Sequence, residues 1–289
     1  MRFRSLLAIA AAALLAAACT FTKLAYMNAA LAYTSARPVL AWMVADYVDM
    51  TDPQKAWVND RISRAMAWHR ARELPEYERF IEWAAVASRD GTSVDEAREA
   101  HARLRDAYYR LLDHVLPDMA DFLAQLTPAQ TAKVERKFDD DNHKLVRDSV
   151  KGTPEERRDE RVKRYLEHIE AWTGTLSREQ RALVARHVSD LSDMVDERLG
   201  DRRYRQSRVL ELARTHPPRD EVIAELRRIL IDTDSWRRPE FAQKLRERDE
   251  RMFAMISELS TTLDSSQKAH IQKRARGVMH DIDGLTASR

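Results

Sequence analysis

Four short segments of this 289-residue chain repeat one pattern, and the pattern dictates where helices begin. Met50-Thr51-Asp52-Pro53-Gln54 precedes Lys55-Ala56-Trp57-Val58, and Leu126-Thr127-Pro128-Ala129-Gln130 precedes Thr131-Ala132-Lys133-Val134. Leu176-Ser177-Arg178-Glu179-Gln180 precedes Arg181-Ala182-Leu183-Val184, and Leu263-Asp264-Ser265-Ser266-Gln267 precedes Lys268-Ala269-His270-Ile271. Thr51, Thr127, Ser177 and Asp264 carry a short side-chain oxygen that accepts a hydrogen bond from an orphan amide at a helix start. Gln54, Gln130, Gln180 and Gln267, three residues on, can reach back to the capping residue's own amide and close a capping box. The Ala and the Val or Ile, two and four residues after each glutamine, are expected to open the buried face. Lys55, Thr131, Arg181 and Lys268 stand where a hydrophobic staple wants an apolar side chain, so the preceding Met or Leu is expected to pack on a neighbouring helix. The capping residues are 76, 50 and 87 residues apart, too irregular for a solenoid. An old duplication and a shared demand of helix–helix corners are both compatible with such a set.

Between these starts the apolar period is 3.6 residues, and no run alternates as a strand would. Six glycines in the whole chain leave no glycine-rich phosphate loop, and one-third of the residues are charged, a composition of long helices. The expected fold is all-α: an elongated multi-helix bundle of capped antiparallel helices. The pattern predicts helices over 24–36, 39–48, 52–73, 76–88, 94–115, 118–125, 128–150, 154–173, 178–199, 202–215, 219–232, 238–261 and 266–283. Pro38 and Pro117 are expected to kink or break theirs. Gly91, Gly152, Gly174 and Gly200 fall just past expected helix ends. Thr153-Pro154-Glu155-Glu156 reads as another capping box, with proline at the first helical position.

The amino terminus obeys a different logic. Arg2 and Arg4 precede an apolar run from Leu6 to Ala18, and the run is too short to span a bilayer. Ala16-Ala17-Ala18 then leads into Cys19, the one cysteine of the chain. This arrangement resembles the lipobox of bacterial lipoproteins, with Ala16 where Leu is usual. The resemblance implies that residues 1–18 are a cleaved signal, that the Cys19 sulfur is acylated, and that Thr20 directs sorting to the outer membrane, facing the periplasm. An exported free thiol would otherwise be a liability. Loss of Arg2 and Arg4 leaves 47 basic and 47 acidic side chains, which removes the electrostatic footprint of a nucleic-acid partner. Residues 19–48 form a lipid-anchored apolar helical segment, expected either to lie on the membrane or to complete the core as a first helical hairpin. Residues 49–289 form a helical periplasmic domain carrying the four motifs.

Two further resemblances bear on the whole. The L-T-x-x-Q form is similar to the motif of the Spy and CpxP type of periplasmic stress chaperones, which implies a curved helical cradle for unfolded clients. Leu24-Ala25-Tyr26-Met27-Asn28-Ala29, Trp42, Asp46-Tyr47-Val48-Asp49-Met50-Thr51, Trp68-His69-Arg70 and Glu73-Leu74-Pro75-Glu76-Tyr77 resemble a family of proteobacterial outer-membrane lipoproteins with no assigned function. Here Ala29 stands where a second Asn is common, and Met50 where Leu is. That resemblance implies an address and a helical fold, and no mechanism.

Chemistry-bearing groups are sparse. Trp57 and Trp68 share a helix face, and so do His69 and Glu73. They are either a proton-transfer or metal pair beside an aromatic wall, or a tryptophan seam in a helical core with a local His69–Glu73 pair. Asp139-Asp140-Asp141-Asn142-His143 lacks the glycine of a calcium loop, with Lys144 in its place, and reads as a solvated face. His114 and Asp118 flank Pro117 with no second ligand at metal spacing. Segments 153–175 and 196–208 read as exposed helices laced with salt bridges. No cofactor, metal or catalytic set is read from the chain. The expected role is envelope interaction or chaperone-like binding of protein clients. The alternative is a scaffold or accessory subunit with one envelope partner.

Overall fold

The computed structural model describes residues 29–149 and 151–287; the expected signal segment and Cys19 lie outside them. Ten α-helices occur among the described residues: α1 Ala29–Tyr47, α2 Asp52–Ala87, α3 Val94–Leu123, α4 Pro128–Ser149, α5 Pro154–Thr173, α6 Arg178–Ser189, α7 Val195–Thr215, α8 Arg219–Leu230, α9 Pro239–Thr261 and α10 Ser265–Ala287. A single 3₁₀ turn, Thr233–Ser235, separates α8 from α9. No strand is present among the described residues, and the fold is the expected all-α bundle.

The helices enclose two main cores. The larger gathers Leu40 and Val44 of α1, Val58 and Ile62 of α2, Leu112, Leu116 and Phe122 of α3, Val134 and Phe138 of α4, Val209 of α7, and Leu226 and Ile229 of α8. The smaller joins Leu176 to Val184 and Val188 of α6 and to Met255 and Leu259 of α9, with Val162, Leu166 and Ile169 of α5 packed against it. Helix α2 leaves the larger core to join a third, smaller cluster with α10. Its 36 residues span about 54 Å at 1.5 Å per residue, and its later half meets Ile282 and Leu285 of α10 through Leu74. The turn between α2 and α3 reaches the second core, where the Thr92 amide donates to Ser260 Oγ at 2.7 Å.

The prolines do not punctuate as the sequence suggests, and of the four glycines one does not. Pro38, Pro75 and Pro117 lie inside continuous α1, α2 and α3, so six expected helices are three. An interior proline costs about 3 kcal/mol. Around Pro117 the side chains of Val115, Leu116, Met119 and Ala120 are all buried, and each of the larger ones contributes about 1.5–3 kcal/mol. Burial wins. Gly91, Gly152 and Gly174 have positive φ, as helix-ending glycines do, but Gly200 is helical and interior to α7. The break falls instead at residues 190–194, where Leu191 and Met194 turn into buried positions and Asp193 accepts the Val195 amide at 3.2 Å. Of the early apolar segment, the described part is one helix whose inner face completes the larger core, rather than a hairpin.

Candidate functional site

The four motifs meet in two pairs. All four capping boxes close: Gln54, Gln130, Gln180 and Gln267 accept the amides of Thr51, Thr127, Ser177 and Asp264 at 3.0, 3.0, 2.8 and 3.1 Å. Each glutamine Nε2 then crosses to another corner. Gln54 donates to the Gln125 carbonyl at 3.1 Å, and Gln130 donates to the Asp49 carbonyl at 2.9 Å. Gln180 donates to the Thr262 carbonyl and Gln267 to the Thr175 carbonyl, both at 2.9 Å. In every case the accepting carbonyl lies two residues before the partner motif's capping residue. Gln54 with Gln130, and Gln180 with Gln267, also exchange side-chain hydrogen bonds. The result is two reciprocal clasps, one tying the α1–α2 corner to the α3–α4 corner, the other tying α5–α6 to α9–α10.

The clasps explain why the motif carries glutamine. A carboxylate at that place could cap, but it could not donate across to the second corner. All four glutamines are buried, and their oxygen and nitrogen are both satisfied, as burial of an amide requires. Each glutamine occupies the first turn of the buried stripe, followed at i+4 by buried Val58, Val134 and Val184 and by half-buried Ile271. The Ala of the motif does not open that face: Ala56, Ala182 and Ala269 are exposed, because they sit about 200° around the helix from the glutamine. Leu126 and Leu176 are buried on neighbouring helices, and Met50 and Leu263 pack against the same two cores, as expected.

The Trp57–Glu73 stretch forms a seam against antiparallel α3. Trp57 stacks on Phe122 with centroids 5.9 Å apart, and Trp68 stacks on His114 at 4.0 Å and 8°. Glu73 does not pair with His69. Its two oxygens accept from Arg110 Nε and Nη2 at 3.0 and 2.9 Å, a bidentate clamp on a carboxylate only 2% exposed. His69 lies 3.3 Å from the Tyr77 hydroxyl. Burial holds the His69 pKa down at about 4, against the opposing field of Glu73. Burial likewise lowers His114 and raises Asp118, which lies 3.6 Å from Arg61. No group of three His, Cys, Asp or Glu poised for a metal occurs among the described residues.

Two stretches read as solvated are partly inward. Asp141 accepts from the Tyr47 hydroxyl at 2.5 Å, and Asn142 is buried and donates to Gln206 at 2.7 Å. On α7, Asp201, Arg202 and Gln206 are buried, with Asp201 taking Arg237 at 2.7 Å. The signal for both was available: an uncharged amide on the apolar stripe marks a buried polar contact, as with the motif glutamines.

Open space lies beside the second clasp. A groove of about 690 Å³ is bordered by Leu176, Leu183, Arg186 and Gln180, and a shallower one of about 460 Å³ by Val162, Leu166, Glu167 and Arg181. At the first clasp Lys133 pairs with Asp49 across the corner, where Leu183 and Thr262 stand at the second. No helix among the described residues is long and apolar enough to cross a membrane.

No curated protein and no solved structure matches the chain. One family model does match it, over residues 46–242, a span holding the first clasp, the tryptophan seam and the α5–α6 corner. The chain therefore belongs to DUF6279, a family of unknown function.

Proposed function

We propose that the protein is an envelope lipoprotein, held to the outer membrane by acylated Cys19, whose helical body binds protein clients in the periplasm and performs no catalysis. The observation that carries the binding role is the pair of open grooves on the α5–α6 side, with Leu176, Leu183, Val162 and Leu166 in their floors and Glu167, Arg181 and Arg186 on their rims. Apolar floors hold unfolded segments, and mixed rims steer encounter. The ionisable groups nearest to a catalytic arrangement, His69 and Glu73, are engaged with Tyr77 and Arg110, which supports a structural use for them.

The test is suppression of aggregation of an unfolded reporter by the full chain. Protection at equimolar ratio is expected, and none at several-fold excess overturns the reading. A Cys19→Ser variant should leave the membrane fraction, and its retention would overturn the anchor. The clasped corners favour a second reading, a fixed-shape scaffold for one partner. Crosslinking from native membranes separates the two: many clients support the first, one dominant partner the second.

A further inference from the structure

Helix α1 is apolar on two faces, and only one of them is covered. Ala36, Leu40, Val44 and Tyr47 form the inner stripe, buried in the larger core. Pro38, Trp42 and Ala45, at i, i+4 and i+7, form an outer stripe that is exposed. Trp42, at 61%, is the most exposed large apolar side chain among the described residues. Arg37 and Asp46 are the only charges in the 19 residues of α1, in a chain that is 33% charged. The stripe ends at Asp46, which pairs with Lys137 at 2.8 Å, and a large apolar side chain left exposed on a charge-poor face marks a protein or membrane contact.

We infer that this outer stripe lies against the bilayer surface that holds the anchor, so that α1 docks the body on the membrane as well as completing its core. The inference rests on the acylation of Cys19 proposed above. Ala29 follows Cys19 by ten residues, and an extended chain covers at most about 3.6 Å per residue. Ala29 therefore lies within about 36 Å of the lipid. Tryptophan suits this position, since its ring is apolar and its N–H can bond at headgroup level. Arg37, exposed at the edge of the stripe, can meet headgroup phosphate. A second copy of the chain is the poorer occupant. A stable dimer buries about 800 Å² per partner, whereas one tryptophan brings at most about 250 Å², and only proline and alanine accompany it.

The experiment uses the mature full chain, purified from membranes and reconstituted into phosphatidylethanolamine–phosphatidylglycerol vesicles with brominated acyl chains. Tryptophan emission is read for wild type and for Trp42→Phe, since the chain holds six tryptophans. The expected result is a quenched component in wild type that Trp42→Phe lacks. Equal quenching in both, or none in either, overturns the docking. Mass spectrometry of the same sample separates the two ideas: acylated Cys19 with unquenched Trp42 refutes docking alone, and unmodified Cys19 refutes the anchor and the docking with it. Wild type dimeric and Trp42→Glu monomeric, without quenching, would assign the stripe to a second copy and also overturn the inference.

Discussion

Gln130 donates to Gln54 at 2.7 Å and accepts from it at 3.3 Å, across two chain corners 76 residues apart. Gln130→Ala should therefore cost more than loss of a helix cap. It removes the bond to the Thr127 amide, leaves the Asp49 carbonyl without its donor, and strips Gln54 of a partner. Gln54 is buried and costs about 1–3 kcal/mol when left unpaired, and a lost cap costs about 1 kcal/mol, so a total of about 2–4 kcal/mol is expected from urea unfolding. Gln130→Glu keeps an oxygen for the cap but has no donor, and should lose most of the same stability. The double variant with Gln54→Ala should cost less than the sum of the singles, because the two share bonds. Additivity would show that the corners stand independently.

The clamp between Arg110 and Glu73 gives an asymmetric pair of variants. Arg110→Ala strands a carboxylate that is 2% exposed, which should cost about 3 kcal/mol. Glu73→Gln keeps a hydrogen-bond acceptor and removes the charge, for about 1–2 kcal/mol. Equal costs would mean that water reaches the carboxylate when Arg110 is gone.

His69 should make the fold acid-sensitive. Its folded pKa, held at about 4 by burial, lies below the ordinary histidine value of 6.5, so the unfolded chain binds the extra proton between those values. Stability from this group is complete above about pH 6.5 and declines as pH falls toward 4, by up to about 3 kcal/mol. Measured unfolding free energies from pH 7 to pH 4 should show this slope, and His69→Gln should flatten it. An unchanged slope in His69→Gln would place the sensitivity elsewhere.

Two glycines should respond to alanine with opposite sign. Gly174 ends α5 at φ 78° and ψ −167°, a region all but reserved for glycine, where an added Cβ costs about 1–3 kcal/mol of backbone strain. Gly200 is helical, and its Cβ would meet nothing within 4 Å, so Gly200→Ala should stabilise by about 0.5–1 kcal/mol. Thermal midpoints moving apart on the two substitutions would bear this out; a fall at both would mean that α7 needs its glycine.

What the sequence could reveal was local. The capping boxes at Thr51, Thr127, Thr153, Ser177 and Asp264 depend on residues three apart, and the structure holds all five. What it concealed was non-local. Pro38, Pro75 and Pro117 sit within helices because the faces around them are buried by helices far away in the chain. The pairing of Gln54 with Gln130 and of Glu73 with Arg110 joins residues 76 and 37 apart, and no spacing rule reaches so far. Of the candidate site, Trp57 and Trp68 do share a face, while His69 and Glu73 part company because α3 presents Arg110 to the carboxylate.

The choice of amide over carboxylate at the four corners has a consequence for where such a body can work. Surface ion pairs such as Arg98–Glu250 weaken as salt rises. Apart from the Asp264 cap, the clasps are built from amides, hydroxyls and carbonyls that neither titrate nor are screened, so acid or brine would loosen the coat of the molecule before it unfastened the joints.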